Sequence, residues 1–325
     1  MSKLLTISDL YKSFPIRRSK LGEKRRFVHA VRGVSFDVAE GETVGIIGES
    51  GCGKTTLGRM IVRLLKPDSG RILYNDVDIS QKPAKALHEF RRDVQIIFQD
   101  PFASLNPRMT VEQILGEPFI IHGIKRRKSR RELVAELLQL VNLPESSMLK
   151  YPHEFSGGQR QRIGIARAVA LKPKLIVADE PLSALDVTIQ AEIIALMQDI
   201  QKKFGMTILM ITHDMKVVAN MANRILVMYL GQIMEELPAS QILTPRHPYT
   251  MALLEAVPVA DPRRKKAMVP LAGDVPSAVT PPRGCPFHPR CPYKQARCET
   301  EDPKLRTLTP GNVVACHFAE EIAKR

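Results

Sequence analysis

Eight residues, Gly48-Glu49-Ser50-Gly51-Cys52-Gly53-Lys54-Thr55, constrain this chain more than any other feature. They fit the pattern G-x-x-x-x-G-K-[ST] at every fixed position. They also stand in the context the pattern requires, after an apolar run (Thr43-Val44-Gly45-Ile46-Ile47) and before a helical pattern with Leu57, Ile61, Val62 and Leu65. Glycines let successive backbone N–H groups turn inward around phosphate oxygens, and the following helix adds its positive dipole end. Lys54 supplies a charge between two phosphates, and the Thr55 hydroxyl, followed by Thr56, is a hard oxygen ligand for Mg²⁺. The chain is expected to hold a nucleoside triphosphate.

The pattern around the loop is strand alternating with helix. Val94–Phe98, Leu175–Ala178, Thr207–Ile211 and Arg224–Met228 read as buried strands. Asp186–Phe204 reads as a helix, apolar at Ile189, Ile193, Ile194, Met197 and Ile200 and stopped by Gly205. Such alternation predicts a mostly parallel sheet. From Pro101 to about Pro152 the rhythm breaks into helix alone, including a capping-box start at Ser129-Arg130-Arg131-Glu132. The longest unbroken apolar run, Ile225–Leu230, is six residues, against about 20 for a bilayer span. With no secretory signal pattern at the start, the chain is expected to stay in the cytosol.

Two further elements bear on chemistry. Leu175-Ile176-Val177-Ala178-Asp179-Glu180 is a buried strand ending in two carboxylates. Asp179 suits the Mg²⁺ shell, and Glu180 suits a general base that polarises an attacking water. Ser156-Gly157-Gly158-Gln159, after Phe155, opens another helix and offers a second anion site at its N-terminus. One domain does not need two cradles for one terminal phosphate.

At this point the sequence resembles the ATP-binding cassette (ABC) family. Phe155–Gln159 differs by one residue from that family's signature, with Phe for Leu. The likeness extends to Gln99 in Ile97-Phe98-Gln99-Asp100-Pro101, to Ser183-Ala184-Leu185-Asp186, and to His213 in Thr212-His213-Asp214, all in the family's order. The resemblance implies an α/β P-loop NTPase cassette over residues 1–236. It would have a mostly parallel sheet core, an antiparallel β subdomain and a helical subdomain at about 101–165. It also implies cassettes paired head to tail, with Ser156, Gly157, Gly158 and Gln159 facing ATP on the partner and Asp186 nearby. Gln99 would sense Mg²⁺ and water, His213 would hold the γ-phosphate, and Phe14, with Tyr11 in reserve, would stack on adenine.

Residues 237–325 look different. Fourteen of the 24 prolines lie from Pro238 onward, and Cys285, Cys291, Cys298 and Cys316 are spaced C-x5-C-x6-C-x17-C. In a cytosolic chain four such cysteines favour a metal centre over disulfides, and the chemistry leaves zinc and iron–sulfur open. His288 and His317 are possible zinc ligands. The segment looks too proline-rich and short to build a core of its own. Arg246-His247-Pro248-Tyr249-Thr250, Gly284-Cys285-Pro286 and Arg290-Cys291-Pro292 resemble the C-terminal extension of dipeptide and oligopeptide importer ATPases. That likeness implies a [4Fe–4S] cluster on the four cysteines. The loop residues Gly51–Arg59 and Ser104-Leu105-Asn106-Pro107-Arg108 resemble the F-type member of the ATPase pair. The implied partners are a non-identical D-type ATPase, two transmembrane permeases and an extracytoplasmic peptide-binding protein, at the cytoplasmic face of a bacterial inner membrane.

Net charge is +14, concentrated at Arg17–Arg26, Lys125–Lys128 and Arg263–Lys266. Such charge suits nucleic acid or an anionic membrane surface. With 17 Phe and Tyr and no Trp, a base-stacking platform is not indicated. The 102 residues between Thr55 and Gly158 hold no sustained heptad of the kind found in nucleic-acid-acting ABC ATPases. A nucleic-acid role, or import of another solute such as nickel, stands as the alternative.

Overall fold

The computed structural model describes residues 2–16, 25–124, 129–183, 185–256 and 273–322. The basic stretches 17–24, 125–128 and 263–266, and Ala184, lie outside them. The strands are β1 (Lys3–Pro15), β2 (Phe27–Ala39), β3 (Thr43–Ile47), β4 (Ser69–Tyr74), β5 (Val77–Asp78), β6 (Val94–Ile97), β7 (Leu175–Asp179), β8 (Thr207–Ile211), β9 (Arg224–Tyr229), β10 (Gln232–Pro238), β11 (Arg306–Thr309) and β12 (Asn312–Val314). The chain forms two compact units that do not follow chain order. Unit one is Met1–Ser2, Ala39–Thr43 and Lys82–Thr212; unit two is Lys3–Val38, Val44–Gln81 and His213–Arg325.

In unit two, β3 runs parallel to β9 in the register Val44 opposite Arg224 to Ile47 opposite Val227. Antiparallel strands continue outward through β10, β12 and β11. A separate sheet has the order β2-β1-β4-β5, with β4 antiparallel to both β1 and β5. The strand β3 is buried on both faces, as an unbroken apolar run requires.

The C-terminal segment differs from the expectation of a core-poor appendage. Tyr249 and Phe287 are fully buried. They pack with Tyr229, Met234 and Leu237 of β9 and β10 and with Ala315, Cys285 and Cys298. The rings of Tyr229, Tyr249 and Phe287 form a trio with centroids 4.6, 5.5 and 5.3 Å apart; each such pair contributes about 0.5–1.5 kcal/mol beyond its buried area. The segment need not build a core alone because it completes one begun by β9 and β10.

The Arg246–Thr250 motif has a local reason. The buried Glu235 carboxylate on β10 accepts the backbone N–H of Arg246 (2.6 Å) and of His247 (3.1 Å), and the side-chain amide of Asn312 (3.2 Å). His247 Nδ1 accepts the Tyr249 N–H at 3.0 Å and so caps the helix Pro248–Glu255. Burial pushes His247 down to about 3, which leaves a neutral imidazole suited to accepting that bond.

In unit one, β6, β7 and β8 are parallel neighbours, and β7 and β8 are buried along their whole length. Among the described residues between β6 and β7 the regular elements are helical, the longest being Val111–Ile121, Arg130–Leu140 and Gly157–Val169. Each of these three opens on a capping box, at Thr110 with Gln113, Ser129 with Glu132 and Ser156 with Gln159. The helix Val187–Phe204 ends at Gly205, which takes a left-handed conformation (φ +63°). It buries Ile193, Leu196, Met197 and Ile200, with Ile189 and Ile194 only partly covered. Among the described residues no helix is long and apolar enough to cross a membrane.

Candidate nucleotide site

The glycine-rich loop lies in unit two between β3 and the helix Lys54–Ile61, which is one turn shorter than the Leu57–Leu65 pattern suggested. Two of its glycines cannot be replaced without movement. A Cβ on Gly48 (φ +152°) would lie 2.1 Å from the Met228 carbonyl oxygen, and one on Gly53 (φ +104°) 2.0 Å from that of Ala30. We expect Gly53→Ala to lower the unfolding midpoint, since backbone strain of this kind costs roughly 1–3 kcal/mol; a thermal melt with and without ATP measures it.

Lys54 is buried, and its Nζ donates to the carbonyl oxygens of Gly48 (2.6 Å) and Glu49 (3.0 Å). That geometry holds the ammonium across the mouth of the loop. Cys52 is buried inside the loop, where burial raises its thiol above the ordinary range and keeps it protonated.

The loop is also held from the C-terminal segment. Arg290 donates to both Glu49 carboxylate oxygens, at 2.7 and 3.0 Å, and to the Tyr229 hydroxyl at 3.3 Å. The Glu49 N–H donates to the Tyr249 hydroxyl at 2.9 Å. Sequence reading missed both contacts. Glu49 and Arg290 are 241 positions apart, and no local periodicity marks such a pair.

Elsewhere in unit two, His213 is exposed immediately before the helix Met215–Met221. Asp214 caps that helix by accepting the Lys216 N–H at 2.8 Å. Phe14 is half-buried with Lys12 Nζ 5.6 Å from its ring, while Tyr11 is more exposed.

Unit one carries the carboxylates. Asp179 is the buried end of β7, and Glu180 follows at φ +46°, its N–H donating to the Ile211 carbonyl at 2.8 Å. A left-handed conformation at a residue without glycine's freedom costs energy and turns the side chain out of the strand direction. Gln99 Nε2 donates to Glu180 Oε2 at 3.0 Å, which joins two of the residues singled out in the sequence.

Ser156 accepts the Gln159 N–H at 3.3 Å, and Gln159 returns the bond by accepting the Ser156 N–H at 3.0 Å. Asp186 stands at the N-cap of Val187–Phe204, and Gln190 holds the preceding turn through the carbonyls of Leu182 and Leu185. Two contacts that sequence reading missed tie the segment after Gln99 to the signature helix. The Arg160 guanidinium lies 3.8 Å over the Phe102 ring, and Arg167 donates to the Ser104 carbonyl at 2.6 Å.

Cys285, Cys291, Cys298 and Cys316 line one small cavity, together with His247, Phe287 and Phe318. Burial, with a smaller contribution from the sister sulfurs, pushes the Cys285 thiol up to about 12 and Cys291 to about 11. Among the described residues no three His, Cys, Asp or Glu side chains stand in a ready metal-ligating arrangement. His288 and His317 are tied to the backbone carbonyls of Cys285 and Glu301, at 2.9 and 3.0 Å.

Comparison with known proteins identifies the family. Residues 31–183 match the family described as ABC transporter, and residues 234–298 match the oligopeptide/dipeptide transporter C-terminal region. The chain is 49% identical over 319 residues to the oligopeptide transport ATP-binding protein AppF of Bacillus subtilis, covering 97% of each. It is 48% identical to a probable peptide ABC transporter ATP-binding protein, y4tS, of Sinorhizobium fredii, over 97% of this chain and 89% of that one. Among solved structures, the dimeric post-hydrolysis state of the ATP-binding cassette MJ0796 with ADP and Pi aligns with a TM-score of 0.64 at 30% identity. It covers 72% of this chain and 98% of the other. The structure of cbiO1 from Clostridium perfringens, part of the ABC transporter complex cbiONQ, aligns at 0.63 and 28%, covering 75% and 91%. A fold, a loop and a tail that agree along the whole length have one reading: this chain belongs to the ABC transporter ATP-binding family, as an ATP-hydrolysing cassette with the oligopeptide/dipeptide transporter C-terminal region.

Proposed function

We propose that this chain is one of two ATPase subunits that drive import of di- or oligopeptides through a pair of membrane permeases. The observation that carries the reading is the end-to-end likeness to an oligopeptide transport ATP-binding protein, tail included. Neither nucleic acid nor nickel is favoured by any comparison. In this reading the loop Gly48–Thr56 would bind the phosphates with Lys54 between them, and Thr55, Asp179 and Gln99 would each supply an oxygen ligand to Mg²⁺, whose charge would offset that of the phosphates. Glu180 takes the proton of the attacking water, oriented by the amide of Gln99. His213 holds the γ-phosphate, and Phe14 stacks on adenine. Ser156, Gly157, Gly158 and Gln159, with Asp186 beside them, serve ATP held by the partner, a non-identical D-type cassette. The subunit would sit as a peripheral protein on the cytoplasmic face of the inner membrane, with an extracytoplasmic binding protein delivering the peptide. Disrupting the gene should abolish uptake of a labelled oligopeptide, and a plasmid copy should restore it; unchanged uptake would remove peptide from the reading.

The four cysteines fit a metal–sulfur group on their donor chemistry. Four thiols line one cavity, and burial raises those of Cys285, Cys291 and Cys316, whose protons a bound cation would replace. Cys285, Cys291, Cys298 and Cys316 would hold a [4Fe–4S] cluster, whose iron–thiolate bonds would staple the tail without any electron passing through it. Iron, acid-labile sulfide and zinc are measured on anaerobically purified protein. About four iron and four sulfide per chain are expected; one zinc without sulfide would overturn the cluster in favour of zinc. Cys298→Ser should loosen the tail to protease.

A further inference from the structure

We propose that Arg290 and Tyr249, both in the C-terminal region, are positioning residues for ATP binding that fix the phosphate loop through Glu49. The inference rests on the reading of Gly48–Thr55 as that loop. It concerns residues outside the cassette motifs: nothing in the loop pattern specifies its second position, and Arg290 is separated from it by most of the chain.

The contact is built rather than incidental. The Arg290 side chain is 4% exposed and that of Glu49 24%, so the ion pair is largely withdrawn from water, where a surface pair contributes little. The planar guanidinium meets the carboxylate with two nitrogens, a geometry that fixes direction as well as distance. Tyr249 secures the backbone of the same residue, its fully buried ring leaving the hydroxyl one place to point. Arg290 itself is held by the turn His288–Arg290, in which its N–H donates to the carbonyl of the fully buried Phe287 at 3.0 Å. Glu49 is therefore gripped at backbone and side chain by groups that are themselves immobilised. Its carbonyl is also one of the two that Lys54 Nζ donates to. The chain of contact runs from the tail core, through Arg290 and Glu49, to the lysine that meets the phosphates.

The kinetic consequence has a definite form. The loop grips the phosphates before and during reaction alike, so loosening it removes binding common to ground and transition states and raises KM more than it lowers kcat. Arg290→Met keeps an unbranched apolar stem but removes the fork. It is expected to raise KM for MgATP by about tenfold, within the range that a displaced positioning contact costs, with kcat changed less than about twofold. Arg290→Lys, which retains charge without the fork, should fall between. Tyr249→Phe keeps the ring packing and should speed hydrogen exchange at the loop amides while raising KM less. Glu49→Gln combined with Arg290→Met should be no worse than Arg290→Met alone, since both remove one interaction.

Lys54→Met is the control for the underlying reading: if it still binds ATP normally, the loop assignment fails. If Lys54→Met loses binding while the Arg290, Tyr249 and Glu49 variants keep wild-type KM and loop exchange, the positioning role alone is overturned. If Arg290→Met does not fold, Tyr249→Phe and Glu49→Gln decide by the same two readouts.

Discussion

Glu180→Gln is expected to cut steady-state ATP turnover by about 10²–10⁴, the range typical of a general base, while ATP still binds. The substitution preserves size, and the Ile211 carbonyl accepts the backbone N–H of residue 180 whatever its side chain. The Gln99 amide, which donates to the carboxylate at 3.0 Å, would meet an amide instead and could still find its oxygen. Binding loss would therefore not follow from a collapsed site. Single-turnover hydrolysis and equilibrium ATP binding, measured on the same preparation, separate the two. Near-normal turnover would remove Glu180 from the role, and loss of binding would make it a ground-state contact.

Gly157→Asp is expected to silence a cassette pair without unfolding this chain. Gly157 is the first residue of the helix Gly157–Val169, and a Cβ there would meet only Leu185 Cδ2 at 3.6 Å, an ordinary contact. A carboxylate in the first helical turn is favourable for the fold by about 0.3–1 kcal/mol, through the helix dipole. The same charge would confront the triphosphate of the partner, so hydrolysis at that site should fall by about 10²–10³, the loss seen when one stabilising donor is removed. Gly158 is the poorer choice, because a Cβ there would lie 2.6 Å from Ile189 Cγ2 and confuse packing with chemistry. An unfolding midpoint at or above wild type together with lost turnover in the pair is the expected combination; unaltered turnover would count against a shared site.

The features legible in the sequence are those that act locally. The strand and loop before Lys54, the capping box at Ser129, the helix start at Ser156 and the stop at Gly205 each depend on residues a few positions apart, and the structure places them within a residue or two. The helix after Lys54 ends early because Arg63 turns to φ +57°, which the apolar spacing through Leu65 does not reveal. The tail was the least legible. Its strands β11 and β12 are short; β12 joins β10 with Glu235 opposite Val314, residues far apart in sequence, and β11 pairs with β12. Tyr249 and Phe287 find their core among residues of β9 and β10 rather than neighbours with helical or strand periodicity. The grip of Arg290 on Glu49 belongs to the same class: it becomes visible only once the tail is folded onto β9 and β10.

The proposed role of this cassette is to turn over ATP in order to move peptide. The complex of this chain with its partner cassette and permeases, reconstituted in proteoliposomes with the peptide-binding protein, should hydrolyse MgATP faster when a di- or oligopeptide is present. It should also carry labelled peptide across the membrane only with ATP, and both activities should disappear together in Glu180→Gln. Turnover indifferent to peptide but stimulated by nucleic acid, or peptide movement that survives Glu180→Gln, would contradict it.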